Sequence, residues 1–125
     1  MSEREARALV EAILKNSRGS VECVAVFTED GLTVAAKGYS ENPGVDPEEL
    51  SAISASIIGV VEEFFKPLFR GASKPERVDV ELPGGRHLVL KPWKGRMAVA
   101  CVTCEEPNLG LVYLMLDKHV RARSS

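Results

Sequence analysis

The feature that most constrains the fold is a pair of short segments, residues 21–28 and 96–103, that are apolar on both faces. One face of the first segment is predicted to carry four of its apolar side chains: Val21, Cys23, Ala25 and Phe27. Val24 and Val26 occupy the opposite face. A strand with two apolar faces is stable only when it is covered on both sides. We therefore place these two strands side by side in the middle of a sheet that has helices above and below.

The remaining elements complete an α/β fold. Residues 3–17 have the apolar spacing of an amphipathic helix, and a turn at Glu29-Asp30-Gly31 joins the first strand to a second at residues 32–37. Asp46, Pro47 and Glu49 form a helix start for a helix that reaches Lys66 or Arg70. Strands at 77–82 and 86–91 precede the second apolar strand, and Asn108 caps a last helix that runs to about Arg123.

The element order is therefore αββαβββα. We predict a five-stranded antiparallel sheet of strand order 2-1-5-4-3, with the middle helix on one face and the terminal helices on the other. Arg77, Asp79 and Glu81 share one face of strand three, which is typical of a strand at a partly uncovered edge.

The composition indicates one globular domain over residues 1–125. Apolar residues make up 45% of the chain and charged residues 27%, and the net charge of -2 disfavours a general binder of nucleic acid. No apolar run approaches the roughly 20 residues that span a bilayer. The charged segment Met1 to Arg7 does not resemble a secretion signal, so a cytoplasmic location is expected. The absence of glutamine, with only three asparagines, is a weak indication of a thermostable protein.

The middle helix is unusual because no charge occurs between Ser51 and Val61. Its wide apolar arc is predicted to lie on the sheet, and consists of Leu50, Ile53, Ile57, Val60, Val61, Phe64, Phe65 and Leu68. The opposite stripe is small and uncharged, and consists of Ala52, Ala55, Ser56 and Gly59. We predict that the same helix of a second copy packs against this stripe. The alternatives are an exposed, slightly apolar stripe and coverage by the chain's own loop 38–46.

The edge at strand three is predicted to pair antiparallel with its own copy. A two-fold axis at Val78 places Arg77 opposite Asp79 of the partner twice, whereas axes at Asp79 or Val80 bring like charges together. Val78 and Val80 supply the apolar contacts in each register. The predicted edge interface is therefore Arg77, Val78, Asp79 and Val80.

Candidate chemical motifs are weak, so we predict no catalytic residue, metal site or cofactor. Cys101 and Cys104 have CxxC spacing, but residues three apart in a strand point to opposite faces, and two further zinc ligands are not evident. His87 and His119 have no carboxylate or serine nearby in the sequence, and no phosphate-binding GxxxxGK[ST] loop occurs. The chain is therefore expected not to be an enzyme.

The segment 84–97 contains four basic side chains, one histidine, one tryptophan and no acidic residue. The basic side chains are Arg86, Lys91, Lys94 and Arg96, and the two ring-bearing residues are His87 and Trp93. Three interpretations remain open: a solvated hairpin with its tryptophan folded onto a neighbour, a surface for an acidic protein, and a nucleic-acid contact. The nucleic-acid interpretation is the least favoured.

Three segments together resemble the roadblock/dynein light chain family. They are VECVAVFTEDGLTVAAKG, similar to its opening hairpin, SAISASIIGVVEEF, similar to its small-residue central helix, and CEEPNLGLVYLML, similar to its last strand-to-helix junction. The resemblance covers nearly the whole chain in the family's order of elements. It implies a homodimer or heterodimer with joined sheets and paired central helices, which serves as a non-catalytic platform for small Ras-like GTPases or as an adaptor subunit.

The partner surface is expected where charge returns to the middle helix, at Glu62, Glu63, Lys66 and Arg70. The rival functions are a small-molecule sensor and a purely structural adaptor. A sensor needs a cavity of about 300 Å³ or more between sheet and helix. The bulk of Ile57, Phe64 and Phe65 predicts instead that this space is filled.

Overall fold

The computed structural model describes residues 3–38, 44–68 and 74–121. Three α-helices and five strands occur within these ranges. In chain order they are α1 (Glu3–Asn16), β1 (Val21–Thr28), β2 (Thr33–Gly38), α2 (Pro47–Phe65), β3 (Val78–Glu81), β4 (His87–Pro92), β5 (Met97–Thr103) and α3 (Leu109–His119). A single 3-10 turn at Pro83–Gly85 joins β3 to β4.

The five strands form one antiparallel sheet in the order β2-β1-β5-β4-β3. This confirms the predicted fold class and strand order. All seven residues of β5 are buried, and six of the eight in β1 are buried. The two strands that are apolar on both faces therefore occupy the centre, as their need for cover on both sides dictates.

The helices form a layer on each side of this sheet, which confirms the predicted arrangement. Apolar residues of α1 and α3, including Val10, Ile13 and Leu116, share one core with Val24 and Val99 of the central strands. On the other face, α2 packs over a second core. The strand residues of that core are Cys23, Ala25, Phe27, Leu88, Leu90, Ala98, Ala100 and Val102.

One prediction about β1 is wrong, because the strand contains a bulge. Val21 was expected on the face of Cys23, yet it packs in the α1 and α3 layer with Val24. The register against β5 shifts between Val21 and Cys23, where Val21 pairs with Thr103 and Cys23 with Val102. An extra residue on one strand reverses the alternation of faces beyond it.

The element ends follow local backbone chemistry. Asp46 caps α2 by accepting a hydrogen bond from the Glu48 amide at 3.0 Å, and the Asn108 side chain accepts from the Leu111 amide at 3.0 Å. The chain leaves α1 through Arg18 at φ 53° and Gly19 at φ 84°. The prediction that the last helix runs to about Arg123 is wrong, because α3 ends at His119 and Val120 has extended backbone (φ -114°, ψ 102°). Most of loop 38–46 lies outside the described residues. No helix in the described ranges is long and apolar enough to cross a membrane.

Candidate interaction surface

Helix α2 lies on the sheet through Leu50 and several small side chains, with Ile57 and Ile58 partly buried against the sheet core. The buried residues of the helix are Leu50, Ser51 and Ser54. The Ser51 hydroxyl lies 2.7 Å from the Thr33 hydroxyl of β2, which gives both oxygens a hydrogen-bond partner at the helix–sheet boundary. The prediction that the wide apolar arc covers the sheet is therefore wrong for most of its members. A helix that is apolar over most of its circumference gives no clear periodic signal for which side is inward.

The large apolar side chains of α2 instead form an outer row. Ile53 is 56% exposed, Val60 53% and Phe64 75%, while Ile57 is only partly exposed and also contacts the core. These four residues, which we call the outer row, follow the four-three-four spacing of a helix-pairing seam. Isolated apolar side chains on a surface are ordinary, but a row with this spacing is typical of a face that another helix covers.

The small stripe predicted to meet a second copy is partly occupied within the chain. The β1–β2 turn reaches the helix at Gly31, where a Cβ atom would come within 3.2 Å of the Ala52 Cα and 3.7 Å of the Ala55 Cβ. Gly31 also has φ +85°, so this turn requires glycine on two counts. The small size of Ala52 and Ala55 is therefore explained by their own hairpin. Ser56 is exposed and Gly59 half-buried, and pairing of copies at the stripe stays a prediction.

The charged side chains at the C-terminal end of α2 point in two directions. Glu63 is exposed and its carboxylate lies 4.0 Å from the Lys66 ammonium, a spacing that contributes little to stability on an open surface. Glu62 is half-buried and points toward the sheet side of the helix. Arg70, the fourth residue of the predicted partner surface, lies outside the described residues.

Glu62 lines a cleft of about 270 Å³ between the second half of α2 and the sheet. The floor of the cleft is apolar and includes Phe27, Met97 and Ala98. Its rim is charged and includes Glu29, Asp30, Glu62, Lys74 and Arg96. The reason given for a filled interior is wrong for Phe64 and Phe65, which lie on the outside of the helix, while Ile57 packs against the core. The volume is just below the range of about 300–1,000 Å³ that is usual for ligand sites.

Strand β3 forms one edge of the sheet and pairs only with β4 in the described part of the chain. Val78 and Val80 pack with the core under α2. Arg77 precedes the strand and its guanidinium lies 3.8 Å from the centre of the Tyr113 ring on α3. The edge is therefore apolar toward α2 and charged toward α3, and its use by a second copy stays a prediction.

A cluster of Asp79, His87 and Tyr113 ties this edge to α3. The His87 Nδ1 atom lies 2.7 Å from one Asp79 carboxylate oxygen, and the Tyr113 hydroxyl donates a hydrogen bond to the other. That hydrogen bond, with burial and the Asp79 charge, raises the pKa of Tyr113. Sequence reasoning missed the His87 carboxylate partner, although Glu81 pairs with His87 and Asp79 is its diagonal neighbour on the same face.

The basic segment 84–97 is neutralised by the chain itself. Each of its four cations has an acidic partner: Arg86 pairs with Glu22, Lys91 lies 3.7 Å from Asp117, Lys94 pairs with Glu5, and Arg96 lies 3.3 Å from Glu29. Trp93 is buried in the core, with the Lys94 ammonium 5.2 Å from its ring centre. These contacts favour the solvated hairpin over a surface for nucleic acid.

The cysteines have the properties of core residues. Cys101 is buried in the α1 and α3 layer and Cys23 in the α2 layer, and both are free thiols, as is half-buried Cys104. Burial raises the pKa of Cys101 to about 12, so its reactive thiolate is scarce at neutral pH. Over residues 3–38, 44–68 and 74–121, no group of three or more potential ligands is placed to hold a metal ion.

Comparison with known proteins gives a consistent picture of the fold. No family model and no curated protein matches the sequence. Among solved structures, MglB of Myxococcus xanthus superimposes with a TM-score of 0.78 at 17% identity, covering 94% of this chain and 83% of that one. An MglB in a tetrameric arrangement gives 0.79 at 18% identity, covering 94% and 86%. A Roadblock/LC7 domain from Streptomyces avermitilis gives 0.73 at 13% identity, covering 89% and 88%. The chain therefore has the roadblock fold, the fold of these MglB and Roadblock/LC7 structures.

Proposed function

We propose that this chain is a roadblock-family protein that acts in the cytoplasm as a non-catalytic dimeric platform for a small Ras-like GTPase. The observation that carries the proposal is the orientation of α2, which buries Ser51 and Ser54 and leaves Ile53, Val60 and Phe64 exposed. Full burial of one such apolar side chain contributes about 1.5–3 kcal/mol. In an isolated chain these three side chains stay in water, so the outer row is best explained by a covering partner.

The first partner is a second copy of the chain. The spacing of the outer row suits an antiparallel or crossed pair of α2 helices, and β3 offers a sheet edge that pairs only with β4 among the described residues. Val78 and Val80 continue the apolar surface from the helix toward that edge. One solved relative in fold is an MglB with a tetrameric arrangement, which supports self-association as a property of this fold.

The second partner is the GTPase. Support comes from the resemblance of the sequence to the roadblock family and from the charge that returns to α2 at Glu62, Glu63 and Lys66. Two α2 helices side by side would present these charged ends on one surface of the dimer. Such a platform needs no catalytic residues of its own, because it acts by positioning the GTPase.

The decisive experiment is a pull-down with Ras-like GTPases of the same cell, loaded with GTP or with GDP. Ile53→Asp with Phe64→Asp places charges in the outer row, and Leu114→Asp is the control, since Leu114 is 62% exposed on α3 across the sheet. We expect wild type and control to sediment as dimers and to retain one nucleotide state of the GTPase. The outer-row variant should be a folded monomer. Retention of neither nucleotide state would leave a structural adaptor as the better description.

A second candidate function, a small-molecule sensor, is favoured by the cleft beside Glu62. Its apolar floor and charged rim have the composition of a ligand site, although its volume of about 270 Å³ is small. A thermal-shift screen tests this function, since a ligand at a hundred times its Kd stabilises the folded state by about 2.7 kcal/mol. A hit whose effect disappears in Ala98→Leu, which fills the floor of the cleft, would support the sensor.

A further inference from the structure

The face of the molecule opposite α2 carries a groove that neither proposed partner uses. It runs along α3 beside the C-terminal end of α1 and has a volume of about 400 Å³. Its floor includes Leu111 and Met115, and its sides include Lys15, Arg18 and Lys118. We call this feature the α1–α3 groove.

The charge of the α1–α3 groove contrasts with that of the whole chain. Its lining contains three cations and no carboxylate, whereas the chain has a net charge of -2. The nearest acids along each helix are engaged elsewhere: Glu11 lies 3.8 Å from Lys37, and Asp117 lies 3.7 Å from Lys91. Among the described residues, Lys15, Arg18 and Lys118 therefore form no ion pair. This differs from segment 84–97, where every cation has an acidic partner.

The ends of the two helices bring these side chains together. Arg18 has φ +53° and directly precedes Gly19, so the chain turns sharply after α1 beside the groove. His119 also lines the groove, but its Nε2 atom is buried and has no hydrogen-bond partner within residues 3–38, 44–68 and 74–121. The three cations and the apolar floor are therefore the features that an occupant would contact.

We propose that the α1–α3 groove binds an acidic, partly apolar peptide segment of a partner protein. The acidic side chains would pair with Lys15, Arg18 and Lys118, and apolar ones would rest on Leu111 and Met115. The nine residues of α3 from Leu111 to His119 span about 12 Å, which fits about four residues of an extended peptide. The site is independent of the proposed function, because α2 and β3 contribute nothing to it.

The test uses the intact protein and a fluorescent peptide of Glu-Glu-Leu repeats, measured by anisotropy. We expect binding that weakens as salt rises, since the contacts are between exposed charges. Lys15→Glu with Lys118→Glu should weaken binding about tenfold, the size expected for the loss of two exposed ion pairs. Lys15→Gln with Lys118→Gln should give a smaller loss, and it avoids placing acids at two helix C-terminal ends.

The matched control is Arg4→Glu with Arg7→Glu, which changes the net charge equally at the far end of α1. It should bind the peptide as wild type does. Equal loss in the control and groove variants would overturn the proposal, because binding would then follow net charge alone. Full displacement by inorganic phosphate at constant ionic strength would also overturn it in favour of a small-anion site. Preference for a single-stranded RNA over the peptide, with the same dependence on Lys15 and Lys118, would overturn it in favour of nucleic acid.

Discussion

Gly59 offers a sharp test of the proposal that α2 meets a second copy through its outer row. A glycine in a helix interior costs about 1 kcal/mol relative to alanine. A Cβ atom at Gly59 would have no atom within 4 Å, so Gly59→Ala creates no clash within the chain. If the outer row is the contact between copies, the substitution should stabilise the protein by about 1 kcal/mol. For a chain of this size that raises Tm by about 4 °C.

Gly19→Ala is the matched control for this experiment. Gly19 also has no atom within 4 Å of an added Cβ, but its φ is +84°. Alanine in that left-handed conformation should cost about 1–2 kcal/mol, so the two substitutions are expected to shift Tm in opposite directions. Calorimetry and sedimentation at several concentrations measure stability and association together. A Gly59→Ala protein that is less stable, or that dissociates, would refute the reasoning and place a second backbone against the small stripe.

Two other predictions concern the β3 edge. Tyr113→Phe removes the hydroxyl that donates to Asp79 and should cost about 1 kcal/mol at neutral pH. Because the pKa of Tyr113 is raised above its ordinary value of 10.0, the stability from this contact is complete below pH 10 and is lost as pH rises through the folded-state pKa. The gap in unfolding free energy between wild type and variant should therefore shrink in alkali, and a constant gap would argue against the contact. If copies join at β3 with the axis at Val78, a dimer structure should show facing residue numbers that sum to 156 (twice 78), whereas sums near 160 would exclude that register.

The sheet was predictable from sequence because the two central strands are apolar on both faces, a pattern that is visible in each short segment alone. The apolar side chains of segments 21–28 and 96–103 are buried only if both strands lie in the centre of the sheet. The remaining strand order follows from short hairpins. The bulge at Val21 was not predictable, since it depends on the pairing with Thr103 and leaves the alternation of residue types unchanged. A one-residue shift of this kind is seen only in the observed pairing of the two strands.

The candidate surface was less predictable, and α2 shows why. Hydrophobicity predicts Ile53, Val60 and Phe64 in the core, but a helix that is apolar over most of its circumference does not show by pattern alone which face is inward. The observed orientation includes contacts that the pattern does not reveal, among them the approach of Gly31 to Ala52 and the hydroxyl pair of Thr33 and Ser51. The contact between Asp79 and His87 was not predicted for a related reason, because it depends on which residues lie diagonally across a hairpin.

The contact between Gly31 and α2 also bears on how costly association is. Part of the contact between this helix and the chain consists of a glycine turn, two alanines and two serines, which have few or no rotamers to restrict. Leu50, Ile57 and Ile58 complete the contact with the sheet core. The outer row therefore stands on a helix whose own seat needs little side-chain ordering on one flank. A covering partner would have mainly the outer side chains to immobilise, so more of the free energy of apolar burial would remain as affinity.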